Sequence, residues 1–207
     1  MKDSLMPAPE ATQASEPLVK DILQVLLEGH ERIRRFTALA VQLAHAQDVS
    51  PAELSETAAR VLHYFTVELP QHLEEEEQCL VPRLFAEPLP VELVDQLWAM
   101  ETQHDACEQL LARLVPLWTR VRDTPRRYPE LAERLARESH QLMTAMEEHV
   151  TMEERILFPF VRTCFSQATL VRLAEENLLR RLNTWGEPLP RQDRTLDEAG
   201  PASPLNP

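Results

Sequence analysis

Apolar residues recur at three- and four-residue intervals through four long segments of the chain, the spacing that places them on one face of an α-helix. In the first segment, Leu18, Ile22, Val25, Leu26, Ile33, Phe36, Leu39 and Leu43 form the stripe. It predicts a helix from about Glu16 to Gln47, with Pro17 at its first helical position. Ser50-Pro51, with Glu53 at the third helical position, reads as a capping box that opens a second helix. That helix should run to about Val81 and stop before Pro82, with a kink or break at Pro70. A third helix begins near Pro90 and passes through His104, and Pro116 should kink or end it. Residues 123–129 read as a loop. A fourth helix runs from Pro129 to Phe158, stopped again by a proline. Ser166 can cap a shorter fifth helix, with a stripe at Leu170, Leu173 and Leu178-Leu179 and an end at Trp185-Gly186. The expected fold is therefore all-α: an up-down-up-down four-helix bundle over residues 17–185, with a short fifth C-terminal helix. The Pro/Ala/Ser-rich residues 1–16 and the Pro-rich residues 186–207 are expected to be disordered.

Composition narrows the function. Only 3 glycines occur in 207 residues, which suits helices. A net charge of -13 argues against nucleic acid and against anionic membrane surfaces as partners. The first 17 residues hold charges and prolines but no apolar run, so no secretory signal is expected, and no stretch approaches a membrane span. Three scattered Cys without a CxxC fit a reducing cytoplasm.

The chain also repeats itself. His72-Leu-Glu-Glu-Glu76-Glu77-Gln-Cys-Leu80-Val-Pro82 returns as His149-Val-Thr-Met-Glu153-Glu154-Arg-Ile-Leu157-Phe-Pro159, with His, Glu, Glu, Leu and Pro at the same offsets. Upstream of each copy stands a His followed by an acid, His30-Glu31 and then His104-Asp105. Each half thus brings one lone His and one His-x-x-x-Glu. On a helix, residues four apart lie on one face with Cβ atoms about 5–6 Å apart, so His72 with Glu76, and His149 with Glu153, can each serve one site. Imidazole nitrogen suits iron, zinc or copper, and a carboxylate can bridge two ions about 3.5–4 Å apart. The candidate ligands are His30, His72, Glu76, His104, His149 and Glu153. One HxxxE on an acidic helix is weak evidence. Two copies with matching flanks and matching lone His are strong evidence.

Other residues read more plainly. Nine residues is about two and a half helical turns, so His63 and His140 point away from His72 and His149 and should not be ligands. His45 should be exposed. The run Glu74–Glu77 should be mostly a solvated face with Glu76 alone in phase; Glu77 and Glu154 should make surface contacts or contacts behind the ligands. Cys79 and Cys107 could line the pocket or respond to oxidation, but a small buried residue is the commoner role. Trp98 and Trp118 read as core. Glu108, four after His104, stays open between a ligand, a guard of an open coordination position and a solvent-facing acid. Ligand His must be neutral, so metal affinity should fall below about pH 6.

With Gly29-His30-Glu31, the His72 to Pro82 block, Gln103-His104-Asp105 and the His149 to Pro159 block in this order, residues 17–184 resemble the hemerythrin-like (HHE cation-binding) domains. The resemblance implies a four-helix bundle holding a non-haem di-iron centre. His30, His72, His104 and His149 would be terminal ligands; Glu76 and Glu153 would bridge, with an oxo or hydroxo group between the irons. Oxygen-carrying members have a fifth His where this chain has Glu108, and His-x4-Asp where it has His149-x3-Glu153. The four-His, two-Glu pattern is more similar to the di-iron domain of iron-sulfur centre repair proteins.

Three functions fit. The first is a cytoplasmic di-iron binding protein that senses or handles O2, NO or iron, with an electron-donor or iron-acceptor protein as possible partner. The second is a di-iron enzyme: an oxidase, peroxidase or NO reductase, or a protein repairing iron-sulfur centres. The third is a bundle whose metal is only structural. Zinc or manganese could replace iron, since affinity alone does not select it. A ferritin-like site is disfavoured, because Glu-x-x-His would need Glu at the positions of Leu69 and Met146.

Overall fold

The structure, a computed structural model, describes residues 20–186. The two terminal segments, and Pro17 at the proposed first helical position, lie outside the described residues.

Helix α1 (Ile22–Ala44) starts later than its apolar stripe suggests, because Asp21 caps it. The Asp21 carboxylate accepts from the Gln24 backbone N–H, and Gln24 Oε1 accepts from the Asp21 N–H, both at 2.9 Å. The second segment opens at the expected Ser50–Glu53 capping box. It then runs without a gap as α2 (Pro51–His63), a π turn (Tyr64–Glu68), α3 (Leu69–Glu75), a second π turn (Glu76–Leu80) and α4 (Val81–Leu84). Helix α5 (Val91–Asp123) follows, then a 3-10 turn (Pro125–Arg127) where a plain loop was expected. Helix α6 (Tyr128–Met152) passes through a third π turn (Glu153–Leu157) into α7 (Phe158–Cys164). The last helix, α8 (Gln167–Gly186), begins where Ser166 Oγ accepts from the Thr169 N–H at 3.2 Å.

The prolines do not end these helices: the stops expected before Pro82 and Pro159 are overturned, and at Pro70 and Pro116, where a kink or an end was expected, the helix continues. Pro70, Pro82 and Pro159 each come directly after a residue whose N–H reaches five back: Leu69 to Tyr64, Val81 to Glu76 and Phe158 to Glu153. A proline ring collides with the carbonyl four residues earlier in a regular helix. The extra residue of a π turn moves that carbonyl aside, so the helix continues. Pro116 is carried inside α5 on an exposed face, where water can satisfy the carbonyl that loses its donor.

The long helices pack in a ring: α1 against α2 and α6, and α5 against α2 and α6. Their apolar faces form two separate clusters. One contains Ile33, Phe36, Tyr64, Phe65, Leu114, Trp118, Leu142 and Met146. The other contains Leu26, Leu80, Met100, Leu157, Phe158 and Leu170. Each of the four repeat histidines falls in sequence between residues of the first cluster and residues of the second, so a polar layer divides the core.

Helix α8 packs on α1 and on the π turn at Glu76–Leu80. Leu170 and Leu173 face inward as expected, but Leu178 and Leu179 are exposed, and Asn177 is buried in their place. Trp118 is buried, whereas Trp98 is 61% exposed and so is not a core residue. Glu75, expected on a solvated face, is 1% exposed and forms an ion pair with Arg181 of α8. Removing one partner of such a pair leaves a buried charge uncompensated. Arg181→Ala should therefore destabilise the bundle by about 3 kcal/mol, the lower end for buried pairs because the Arg181 side chain is partly exposed. A melting temperature lower by about 6–12 °C is the expected reading in thermal denaturation. The double variant Glu75→Met, Arg181→Met should recover most of it; a single variant as stable as the wild type would contradict the pairing.

Candidate metal centre

The structure brings all six predicted residues together in the polar layer. His30 comes from α1, His72 from α3, His104 from α5 and His149 from α6, while Glu76 and Glu153 are the first residues of two π turns. None of the six is more than 4% exposed.

The four Nε2 atoms point inward. Glu76 Oε1 lies 2.8 Å from His72 Nε2 and 3.8 Å from His30 Nε2. Its other oxygen, Oε2, lies 3.4 Å from His104 Nε2 and 3.8 Å from His149 Nε2. Glu153 repeats the division, with Oε2 3.0 Å from His30 Nε2 and Oε1 3.7 Å from His149 Nε2. Each carboxylate therefore turns one oxygen to the His30/His72 pair and the other to the His104/His149 pair. Two ligand-sized groups result, His30, His72 and Glu76 in one and Glu76, His104, His149 and Glu153 in the other, with Glu76 common to both.

The outer nitrogens are set from the opposite half of the chain. His30 Nδ1 lies 3.0 Å from Glu154 Oε1, and His104 Nδ1 lies 2.7 Å from Glu77 Oε1. An ionised carboxylate only accepts, so each Nδ1 carries a proton, and Nε2 is the nitrogen left to face the interior once its own proton is displaced. Glu77 and Glu154 thus make the contacts behind the ligands that their position after Glu76 and Glu153 suggested. Glu154 is itself fixed by Arg34, with Nη1 to Oε1 at 2.8 Å and Nη2 to Oε2 at 3.0 Å, and Arg34 holds it below the usual carboxylate range. His149 Nδ1 lies 3.4 Å from Gln103 Oε1. His72 Nδ1 packs against Gly29, where a Cβ would lie 2.3 Å away. Phe158 stacks on His30 at 5.3 Å.

Three residues considered for the site, Cys79, Glu108 and Cys107, fall outside the cluster. Cys79 is on the expected ligand face of a regular helix, but the π turn beginning at Glu76 adds a residue and rotates the positions beyond it. Its Sγ instead donates toward Asn177 Oδ1 of α8 at 3.6 Å. Glu108 is exposed, the solvent-facing alternative. Cys107 is a buried core residue whose thiol is pushed up to about 11 by burial. His63, His140 and His45 are exposed, as expected.

The cluster fits a cation. His72 Nε2, His104 Nε2, His149 Nε2, both Glu76 oxygens and Glu153 Oε1 are buried without a hydrogen-bond partner among the described residues. Although His72 and Glu76 are close, they are not aligned to bond. Buried polar atoms are almost always satisfied, and a positive ion at the convergence point would satisfy these together. Residues 21–161 match the Hemerythrin HHE cation binding domain, and a second, overlapping match covers 95–182. The chain belongs to this cation-binding family. No curated protein and no solved structure matches it. The buried His/Glu layer offers a ligand set that fits a cation-binding domain.

Electrostatics sets the pH range. Burial acts to lower His30, but hydrogen bonds to Glu153 and Glu76 and their charges outweigh it and raise it to about 10. His104 is raised to about 9 in the same way, by Glu76 and Glu77 against burial. Burial lowers His149 to about 4. Burial and the charge of Glu76 raise Glu153 to about 7, whereas Glu76 is held well below the usual range by the surrounding histidines against its burial. Without a metal, His30 and His104 therefore carry the positive charge at neutral pH, and a metal must expel those protons. Each displaced proton makes affinity rise about tenfold per pH unit below its pKa. Affinity should thus climb steadily from pH 6 to 8, well above the range expected from ordinary histidines. The stability of the metal-free protein should run the other way. A raised histidine stabilises the fold fully below its unfolded value of about 6.5, and that contribution is lost as pH rises through 9 to 10. Competition titrations at pH 6, 7 and 8, with thermal melts of metal-free protein, check both signs. A flat affinity profile would contradict the protonated starting state.

Proposed function

We propose that this chain holds two iron ions in a non-haem centre and uses them to sense or handle O2, NO or iron. The observation that carries the reading is the division of the Glu76 and Glu153 oxygens between two histidine pairs. A single ion would not require carboxylates that face two ways. His30, His72 and one oxygen from each Glu would hold one iron; His104, His149 and the other two oxygens would hold the second. A di-iron pair held by these residues would supply reversible Fe(II)/Fe(III) redox chemistry and binding of a diatomic ligand.

The chain's own residues support that role. Glu77 and Glu154 hold a proton on the outer nitrogen of His104 and His30, so the inner nitrogens are the ones a metal would take. The apolar clusters on either side exclude water and strengthen the electrostatics of the layer. The three cysteines form no disulfide, which suits a reducing compartment, and no described helix is long and apolar enough to cross a membrane.

The deciding experiment is metal content per chain by mass spectrometry on protein from iron-fed cells, with a visible spectrum in air. About two irons with oxo-bridge absorption support the reading. Absence of stoichiometric metal after anaerobic Fe(II) reconstitution refutes it. A spectrum that changes with O2 or NO without turnover marks a sensor, whereas catalytic consumption with an electron donor marks an enzyme. A site that only stabilises the bundle shows neither, and chelation lowers its melting temperature.

A further inference from the structure

The two halves of the centre differ in how they meet solvent. The His30 half is closed: His30 is fully buried, Phe158 stacks on its ring, His72 packs against Gly29, and Arg34 fastens Glu154. The His104 half borders a cavity of about 500 Å³ on the outside of the bundle. Four acids line that cavity, Glu77, Glu101, Asp105 and Glu108, together with the apolar side chains of Trp98 and Phe85. Its inner wall includes His104, which is 4% exposed and whose buried Nε2 has no hydrogen-bond partner among the described residues. Glu77 also lines the cavity and is bonded to the outer nitrogen of the same ring, His104 Nδ1, at 2.7 Å, with its side chain 53% exposed. No arginine contact is seen on Glu77, in contrast to Glu154, among the described residues.

We propose that this cavity is the route by which a divalent cation reaches and leaves the centre, and that the His104/His149 position loads and exchanges through it. The inference rests on the metal reading above and adds the path. A liquid-like water takes about 30 Å³, so the space admits an ion with about six waters. Carboxylates within low-dielectric walls focus the field on a cation and raise its capture rate. Glu101, Asp105 and Glu108 would collect the hydrated ion, and Glu77 would take over part of its hydration before it passes to His104.

The test is stopped-flow uptake of Co²⁺ by metal-free protein, followed by the cobalt absorption bands. The variant Glu101→Gln, Asp105→Asn, Glu108→Gln alters only exposed side chains. It should load about tenfold more slowly, with weaker salt dependence and unchanged final cobalt content. A control that removes three exposed acids elsewhere, Glu56→Gln, Glu133→Gln and Glu148→Gln, should load at the wild-type rate. Equal rates for the cavity variant and the wild type, or equal slowing in the control, would overturn the route. A wild type that takes up no cobalt would overturn the metal reading and this inference with it.

Discussion

Glu76→Gln is expected to abolish the paired site, lowering metal content from about two ions per chain to below one, while the protein stays helical. Among the described residues, Glu76 is the one carboxylate within 4 Å of all four histidine Nε2 atoms, and it is fully buried. Gln keeps the shape but offers one carbonyl oxygen and an NH2 group, so one half loses its acceptor and receives a donor instead. The missing negative charge also lowers the pull that holds protons on His30 and His104. Glu153→Gln should be milder, because Glu153 oxygens approach only His30 and His149. His63→Ala and His140→Ala, both exposed, should leave metal content unchanged. Metal analysis with circular dichroism decides the order. Full metal retention in both Glu variants would sink the bridging assignment.

Gly29→Ala should weaken metal binding by about 10–100-fold, the range seen when a group that fixes a ligand is disturbed. In the middle of a helix, Gly to Ala ordinarily stabilises by about 1 kcal/mol. Here the added Cβ would stand 2.3 Å from His72 Nδ1 and 2.5 Å from its Cε1, closer than atoms can approach. The ring has little room to retreat, because its other nitrogen is 2.8 Å from Glu76 and its neighbour His30 lies edge-on at 5.2 Å. The clash therefore outweighs the helix propensity. Binding titrations and melts of the metal-free variant test it together: wild-type affinity would mean that His72 can move freely.

The clustering of the six candidate residues was legible because it follows the helical period. His72 with Glu76 and His149 with Glu153 are four apart, and the repeat located both pairs. The long helices were legible for the same reason. What the sequence hid was the change of period. Pro82 and Pro159 looked like stops, but each marks the far side of a π turn. The same turn moved Cys79 to α8 and left Glu77 able to reach His104. Trp98 misled because an aromatic residue in an apolar stripe usually faces the core, yet here it walls a surface cavity. Glu75 misled because its partner, Arg181, is distant in sequence. The clearance that Gly29 provides depends on a contact between α1 and α3 that no local pattern encodes.

The crosswise sharing between halves has a kinetic consequence. Glu76 and Glu153 each face histidines from both halves, and each outer carboxylate orients a histidine of the other half. The group His30, His72 and Glu76 comes from the first half alone, but the second group needs Glu76 together with His104, His149 and Glu153, so the complete pair appears only after all four long helices have docked. A full metal pair then acts on the native state alone. Bound metal should slow unfolding and leave the refolding rate unchanged, so the centre works as a latch closed last and opened first.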